Sequence, residues 1–356
     1  MGIQGLSKFI RDKFPQVIEI CHLSEFAYKM IAVDLSVYIY KYMAVNIKND
    51  RPNAWLQSFL SLVSTLRKNN IHCIFIYDGK APPQKEMEQK KRREDKDKRE
   101  VKNHELDIAL QNYRDVGRID KPLQDFIDRR HKKFNKLIGE GINMKLVEKE
   151  VETYINGNIP TVTNEHIDIT KKLFTILKVP FCTAPEEAEA MCSKLARIGK
   201  VDGVLSADTD ILAYSAPKFI FDINTKDSTC SVIEIDKLLK ELKWTRKQFI
   251  DFCIMCGTDY NSNIKGIGPA KSFALINELK SLENVEKYTE LDTTVLNYLE
   301  VRKLFYYPKS KKIEIPYCGK PNFDKLREFL KSNNIHVYDE SLEESFGGAN
   351  IVIEES

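Results

Sequence analysis

The sequence predicts an α/β fold with a mostly parallel central sheet flanked by helices, on three observations. Three apolar segments with strand character each end in an aspartate: MIAVD at Asp34, IHCIFIYD at Asp78 and VDGVLSAD at Asp208. Amphipathic segments such as NAWLQSFLSLVSTLRK lie between them, and alternating strands and helices are typical of a parallel sheet. The crevice of such a sheet lies outside the carboxyl ends of its strands. The three aspartates are therefore expected to converge on one site.

Other segments suggest the rest of the organisation. KFIFDI and TCSVIEI read as two further strands, and TRKQFIDFCIMCG reads as a helix before the loop TDYNSNIKGIGPAKSFALI. The span from Arg93 to about Thr163 is polar and highly charged, so we predict an insertion that offers little core of its own. The predicted division is 1–92 and 164–244 for the sheet region, 93–163 for the insertion, 245–285 for the helix and loop that follow the sheet region and 286–356 for the C-terminal region.

Composition narrows the class of protein. The 356 residues are 42% hydrophobic and 30% charged with a net charge of +3, which is typical of a soluble globular protein. No apolar run approaches the roughly 18 residues of a membrane helix, and Leu6 replaces the Ser or Thr of a myristoylation signal. Eight cysteines without a disulfide-like rhythm indicate a reducing, intracellular compartment. We interpret CIMC, Cys253 to Cys256, as core, with a zinc site as the alternative.

Charge is concentrated in one segment, KEMEQKKRREDKDKREVK, from Lys85 to Lys102. It has too few apolar residues to bury a face, so it is either a solvated helix or a disordered arm. Its KKRR run is also compatible with a nuclear import signal.

The acidic candidates are Asp34, Asp78, Glu187, Glu189, Asp208, Asp210 and Asp259. Carboxylates crowded into one crevice raise each other's pKa, and two Mg²⁺ ions would turn this repulsion into coordination. A site without His or Cys favours Mg²⁺ or Mn²⁺ over zinc, and paired ions are a common device for phosphodiester hydrolysis. In APEEAEA we expect Pro185 in the first turn of a helix. Ideal helical spacing would then set Glu187 and Glu189 roughly 200° apart.

Six motifs together resemble the XPG/flap endonuclease family of structure-specific 5′ nucleases, which have a PIN-like fold. They are MGIQGL, AVDLSVYIY, YDGKAPPQK, APEEAEA, SADTDIL and GTDYNSNIKGIGPAK, between residue 1 and about residue 275. The resemblance implies that all seven acids bind metal. Asp34, Asp78, Glu187 and Glu189 would lie nearer one ion. Asp208, Asp210 and Asp259 would serve the other, with Glu189 shared. It also implies that the insertion forms a helical arch or clamp.

The resemblance further assigns Lys85 and Arg92 as catalytic cations. Seven residues are close to two helical turns, so both are expected on one helix face. IKGIGPAK resembles the family's helix-two-turn-helix, in which Lys265, Gly266, Gly268 and Lys271 would meet DNA. Carbonyl groups of Asn263, Ile264 and Ile267 would hold a K⁺ ion there. Tyr40 matches the position that stacks on a DNA base, and Gly2 matches a glycine packed near the strand junction.

The expected function is Mg²⁺-dependent cleavage of 5′ flaps or branched DNA, with Mn²⁺ as a substitute ion, in replication, repair or recombination. The alternatives within the family are mainly a 5′→3′ exonuclease and a bubble-cutting endonuclease. Two others are a haloacid dehalogenase-like phosphatase, suggested by DTD although Leu212 departs from that motif, and a scaffold without catalysis. The expected location is the nucleus, another site of DNA replication or the cytoplasm. The C-terminal ESLEESFGGANIVIEES lacks the family's clamp-binding box, which counts against recruitment by a sliding clamp.

Overall fold

A computed structural model describes residues 2–47, 53–135, 143–156, 162–309, 312–335 and 339–346. The chain divides into two compact units. The first comprises Met1–Tyr42, Asn53–Glu86 and Val162–Ser356, and the second comprises Met43–Pro52 and Met87–Thr161. The five-part division predicted from sequence stays a prediction, and most of the acidic C-terminal segment lies outside the described residues.

The first unit is built on a mixed sheet that has seven strands in the described part of the chain. They are β1 Ile18–His22, β2 Met30–Asp34, β3 His72–Tyr77, β4 Phe181–Thr183, β5 Gly203–Leu205, β6 Lys218–Asn224 and β7 Thr229–Glu234. The spatial order is β1-β7-β6-β5-β2-β3-β4. The neighbours from β6 to β4 pair in parallel, whereas β7 is antiparallel to both β6 and β1. The predicted mostly parallel sheet is confirmed.

The central strands explain the apolar runs of the sequence. Every residue of β2 and β3 is buried, as expected for strands covered by helices on both faces. The predicted strands that end near Asp34, Asp78 and Asp208 are present, and so are the two later ones. The sequence analysis missed β1 and β4. The first is an edge strand with three exposed residues, and the second has only three residues, so neither carries a strong periodic signal.

Helices cover the sheet and form the second unit. In chain order they are α1 Leu6–Lys13, α2 Leu35–Ile47, α3 Ala54–Lys68, α4 Glu86–Val116, α5 Lys121–Asn135, α6 Met144–Asn156, α7 Asn164–Ile176, α8 Ala188–Arg197, α9 Asp210–Ala213, α10 Ile235–Leu242, α11 Arg246–Cys256, α12 Pro269–Leu279, α13 Leu282–Tyr288, α14 Tyr298–Tyr306, α15 Phe323–Ser332 and α16 Asp339–Glu344. A capping box between Thr245 and Gln248 starts α11. Phe174 of α7 stacks on Phe75 of β3 at 4.2 Å between ring centroids.

The second unit has a hydrophobic core, so the prediction that the insertion offers little core was wrong. The second half of α4 packs with α5 and α6 through Leu106, Ala109, Leu110, Leu123, Phe126, Ile127, Val147 and Val151. Arg114 on α4 also pairs with Glu148 on α6, at 3.1 Å. The charged composition concealed this core because the first half of α4, from Lys90 to Lys102, is a solvated helix without buried residues.

All eight cysteines are free. Cys253 and Cys256 are buried on α11, and burial raises the pKa of both thiols, as their interpretation as core residues predicts. Among the helices of the described residues, none has the length and apolar character needed to span a membrane.

Candidate active site

The acidic candidates lie where neighbouring parallel strands end. Asp34 is the last residue of β2, Asp78 follows β3 directly, and Asp208 lies three residues beyond β5. These three strands are adjacent, with β2 between β5 and β3. Glu187 and Glu189 lie beyond β4, and Asp259 lies beyond α11. The sheet order therefore brings these side chains to one crevice of the first unit.

The segment APEEAEA differs from its predicted helical geometry. The helix α8 begins at Ala188, and Glu187 is its N-cap residue with an extended backbone (φ −87°, ψ 143°). Pro185 lies before the helix rather than in its first turn. Because Glu187 stands outside the helix, the angle of roughly 200° does not apply, and both Glu187 and Glu189 can face the crevice.

Main-chain contacts join the loop after β3 to this segment. The Gly79 N–H donates to the carbonyl oxygen of Glu186 at 2.6 Å, and the Ala188 N–H donates to Asp78 Oδ1 at 2.8 Å. A Cβ atom at Gly79 would lie 2.1 Å from the carbonyl oxygen of Ala184, so only glycine allows this approach. The two loops thus fix Asp78 next to the start of α8.

A second set of hydrogen bonds fixes the loop after β5. Ser206 Oγ donates to Asp34 Oδ2 at 2.7 Å and accepts from the Asp208 N–H at 2.9 Å. The Asp210 N–H donates to Asp208 Oδ1, also at 2.9 Å. Asp34 Oδ1 and Asp210 Oδ1 are buried and have no hydrogen-bond partner among the described residues. Buried carboxylate oxygens without a partner require an explanation, and a bound cation is one.

Burial and mutual repulsion raise the pKa of three of these acids. The pKa of Asp34 is well above its ordinary value because of burial and then the charge of Asp78. Burial and the charge of Glu187 have the same effect on the pKa of Glu189, as do burial and the charge of Asp208 on the pKa of Asp210. Such a site carries an excess of negative charge, which divalent cations would offset.

Lys85 supplies one positive charge inside the crevice. Its ammonium group donates to Glu187 Oε1 and lies 3.2 Å from Asp259 Oδ2. Burial lowers the pKa of Lys85, but the nearby carboxylates, Glu189 foremost, outweigh this effect and raise the pKa above its ordinary value. The surrounding carboxylates therefore favour the charged form of this ammonium group.

Arg92 differs from Lys85 in its surroundings. Lys85 ends the 3-10 turn Pro83–Lys85 and α4 begins at Glu86, so the argument that both project from one helix face does not hold. Arg92 belongs to the second unit, where its exposed guanidinium pairs with Glu88 at 2.9 Å. Its predicted catalytic role stays a prediction.

Gly2 lies against the acids. Its backbone has φ +82°, and a Cβ atom there would lie 2.0 Å from Asp208 Oδ1 and 2.8 Å from Asp210 Oδ1. Both the left-handed conformation and the lack of space require glycine.

The sequence analysis missed two tyrosines that support the site. Tyr260 donates a hydrogen bond to Glu187 Oε2, and its oxygen lies 2.8 Å from the hydroxyl of Tyr214. Since Tyr260 uses its only proton on Glu187, Tyr214 must be the donor of the second bond. Both side chains are buried and pack edge-on against Phe305. The position of Tyr260 directly after Asp259 in GTDYN was the available signal.

The candidate DNA-binding residues are placed as follows. Tyr40 on α2 is partly exposed, whereas Tyr38 is buried and Tyr42 is half-buried. Lys265 and Lys271 are exposed on either side of the start of α12, for which Gly268 is the N-cap.

The loop expected to bind K⁺ contains, besides the three expected carbonyl oxygens, a buried side-chain oxygen on Asn263. The carbonyl of Ile264 accepts from the Ile267 N–H at 3.0 Å, and that of Ile267 accepts from Asn263 Nδ2 at 3.2 Å. Asn263 Oδ1 is buried and has no hydrogen-bond partner in the part of the chain that the structure describes. Gly266 has φ +77°, which favours glycine at this turn.

The acids do not form a tight chelating cluster by themselves. In the described ranges, no three His, Cys, Asp or Glu side chains are arranged to hold a metal ion directly. Mg²⁺ usually binds through one or two carboxylates together with water and substrate phosphate, so a looser acidic crevice suits it. The partnerless oxygens of Asp34 and Asp210 and the raised pKa values fit divalent cations.

Comparison with solved structures defines the class of protein: the fold is that of the PIN-like nucleases. The catalytic core of Rad2 in complex with DNA substrate superimposes with a TM-score of 0.65 at 19% identity, covering 98% of this chain and 100% of that one. Flap endonuclease-1 from Methanococcus jannaschii gives a TM-score of 0.61 at 20% identity, with both chains 96% covered.

Sequence comparison identifies the family. The XPG N-terminal domain matches residues 1–99, and the XPG I-region matches residues 178–259. A probable RAD2-like endonuclease of Invertebrate iridescent virus 6 is 33% identical, over 99% of this chain and 93% of that protein. Flap endonuclease 1 of Glycine max is 31% identical, over 94% of this chain and 80% of the relative. The chain belongs to the XPG family of structure-specific nucleases, and the phosphatase alternative is wrong.

Proposed function

We propose that the protein is a Mg²⁺-dependent, structure-specific DNA endonuclease that hydrolyses phosphodiesters at 5′ flaps or branched DNA by a two-metal mechanism. One observation carries the proposal: Lys85 lies between Glu187 and Asp259 beside the acids that follow the parallel strands, and two buried oxygens of those acids, Asp34 Oδ1 and Asp210 Oδ1, have no hydrogen-bond partner among the described residues. The RAD2-like and flap endonuclease relatives and the DNA-bound Rad2 core support DNA as the substrate.

Each acid has an expected place in the mechanism. Asp34, Asp78, Glu187 and Glu189 would hold one ion, and Asp208, Asp210 and Asp259 would hold the other, with Glu189 shared. When bound, such a pair supplies an activated water and stabilises charge on the attacking and leaving oxygens.

The protein's own groups orient the reaction. The ammonium group of Lys85, which lies between Glu187 and Asp259, would pair with the scissile phosphate and stabilise the negative charge that develops there. Arg92 would supply a second cation.

Further elements would hold the DNA away from the reacting bond. Lys265, Gly266, Gly268 and Lys271 would contact the backbone of one strand without reading its sequence, because backbone amides and lysines bind phosphate. A K⁺ ion held by the carbonyls of Asn263, Ile264 and Ile267 would support that loop. Tyr40 would stack on a base near the site, and Gly2 allows the N-terminus to lie close to Asp208.

The test is Mg²⁺-dependent cleavage of end-labelled flap, gapped, bubble and blunt DNA. We expect release of an intact flap, and activity with Mn²⁺ in place of Mg²⁺. Release of mononucleotides would instead favour a mainly 5′→3′ exonuclease, and preferential cutting of the bubble would favour a bubble endonuclease. Asp208→Ala should abolish cleavage and leave DNA binding in Ca²⁺ largely intact. Normal turnover by this variant would refute the two-metal proposal.

The cations are tested separately. Lys85→Ala and Arg92→Ala should each lower kcat far more than they weaken DNA affinity, because they act on charge that develops in the transition state. A change in affinity alone would show that these residues only bind DNA.

A further inference from the structure

The chain that follows the active-site tyrosines leads to the rim of the crevice. Phe305, near the end of α14, lies under both tyrosines, with ring centroids 4.9 Å from Tyr214 and 5.7 Å from Tyr260. Four residues later, the ammonium group of Lys309 lies 2.5 Å from Glu186 Oε1. Glu186 directly precedes Glu187 of the crevice. Residues 305–309 therefore run from beneath the acidic site to its edge.

Two arginines fix the start of this segment. Arg246 donates to the carbonyl oxygen of Phe305 at 3.1 Å, and its guanidinium lies 4.7 Å from the ring centre of Tyr306. Arg197 donates to the carbonyl oxygen of Tyr306 at 3.4 Å. The Tyr307 N–H closes the helix on the carbonyl oxygen of Lys303 at 2.9 Å. The side chains beyond Tyr306 are thus presented from an anchored backbone rather than from a free loop.

Two of those side chains are largely open to solvent. Tyr307 is 79% exposed, although tyrosine normally buries most of its ring. Lys309, two residues further on, has 68% of its side chain exposed. Its partner Glu186 has only 16% of its side chain exposed, so Lys309 reaches the pair from the solvent side and keeps most of its own side chain accessible. The segment therefore offers an uncovered aromatic face and a solvent-accessible cation next to the crevice that receives DNA under the proposed function.

We propose that Tyr306–Lys309, termed the rim segment, binds an unpaired DNA strand beside the active site. Tyr307 stacks on a base, and the exposed ammonium group of Lys309 donates to a backbone phosphate while it stays next to Glu186. Two residues of extended chain span at most about 7 Å, so both side chains reach the same or neighbouring nucleotides. An aromatic ring next to a cation is the usual arrangement for single-strand binding without sequence preference. The inference rests on the proposed function, because the occupant is the strand that the crevice cuts.

The test is DNA affinity measured by fluorescence anisotropy in Ca²⁺. The probes are a duplex with a single-stranded 5′ flap and the same duplex without the flap. Tyr307→Ala should weaken binding of the flapped DNA by about 5- to 150-fold, the range expected for one stacked base. Tyr307→Phe should bind like the wild type, since it keeps the ring. Lys309→Ala should reduce the slope of log affinity against log salt by about one unit.

Matched controls lie in the same unit. Tyr288 is 62% exposed, and Lys303 has 65% of its side chain exposed, so Tyr288→Ala and Lys303→Ala remove the same groups elsewhere. Both should bind flapped DNA like the wild type. The inference is overturned if Tyr307→Ala retains wild-type affinity, if Tyr288→Ala weakens binding equally, or if Tyr307→Ala affects both DNAs alike.

The outcome also separates this inference from the proposed function. If the wild type binds and cleaves the flapped DNA while the rim-segment variants are unchanged, only the rim segment is refuted. If the wild type neither binds nor cleaves any of the DNAs, the proposed function fails, and this inference fails with it.

Discussion

Two linked hydrogen bonds, from Tyr214 to Tyr260 and from Tyr260 to Glu187, allow the effect of a substitution on stability to be predicted. Tyr260→Phe removes one oxygen but keeps the ring against Phe305. The change removes a hydrogen bond to a charged carboxylate, which typically contributes about 1.5–3 kcal/mol. It also leaves the buried hydroxyl of Tyr214 without its acceptor, which costs about 1–3 kcal/mol. We therefore expect Tyr260→Phe to lower the free energy of unfolding by about 3 kcal/mol.

Tyr214→Phe is the matched variant. It removes the terminal donor and leaves the bond from Tyr260 to Glu187 in place, so it should cost only about 1 kcal/mol. The double variant should lose less free energy of unfolding than the sum of the two single variants. The Tyr214 hydroxyl, which Tyr260→Phe leaves without an acceptor, is already absent in Tyr214→Phe. We expect a coupling of about 1 kcal/mol or more between the two sites.

Denaturant unfolding in metal-free buffer at neutral pH, followed by circular dichroism, measures all three variants. If Tyr260→Phe leaves the free energy of unfolding unchanged, or if the two effects are additive in the double variant, the two hydroxyls do not act as one hydrogen-bonded chain. Cleavage assays supply a second readout, since Tyr260→Phe should lower kcat by releasing Glu187 while DNA affinity in Ca²⁺ remains unchanged.

Four further predictions concern Gly79, Arg302, Glu283 and the acidic site. Gly79→Ala forces a Cβ atom to 2.1 Å from the carbonyl oxygen of Ala184, so cleavage should fall by about 100-fold, as for a misplacement near 1 Å; near-normal kcat would contradict this. Arg302 pairs with the buried Asp251 at 2.5 and 2.7 Å, so Arg302→Ala should lower the free energy of unfolding by about 3–5 kcal/mol in denaturant titrations, and a loss below 1 kcal/mol would refute a structural role. The side-chain hydrogen bond from Arg302 lowers the pKa of Glu283, so its stabilisation is present above the ordinary glutamate pKa and is lost as pH falls; Glu283→Gln should flatten the acid limb of a Tm–pH profile, and an unchanged limb would contradict the assignment. Adding Mg²⁺ to metal-free protein should raise Tm by relieving repulsion among the acids, and no shift at millimolar Mg²⁺ would count against the metal site.

The parallel sheet and the positions of three acids were accessible from sequence. The apolar runs before Asp34, Asp78 and Asp208 are continuous because their strands are buried on both faces, and this is the strongest signal that a parallel sheet leaves. The same topology sends the carboxyl ends of neighbouring strands to one edge. Local pattern and a general rule of sheet architecture together were therefore sufficient to place these carboxylates.

The insertion shows where composition misleads. Its core residues, such as Leu110 and Phe126, are spread over three helices and are outnumbered by charged neighbours. A core assembled from separate helices depends on how those helices pack, which the average polarity of the segment does not report.

The sequence by itself determined the family and the sheet, because these depend on residue types in order along the chain. Only the tertiary structure decided how Glu187 faces the crevice, since the start of α8 was set by contacts from Asp78 and Gly79 about 110 residues away in sequence. The partnership of Glu187 with Tyr260 and Lys85 and the position of Lys309 beside Glu186 likewise depended on the fold. Such contacts join residues that are distant in the chain and become neighbours only in the folded protein. Patterns within a short stretch of sequence therefore do not predict them.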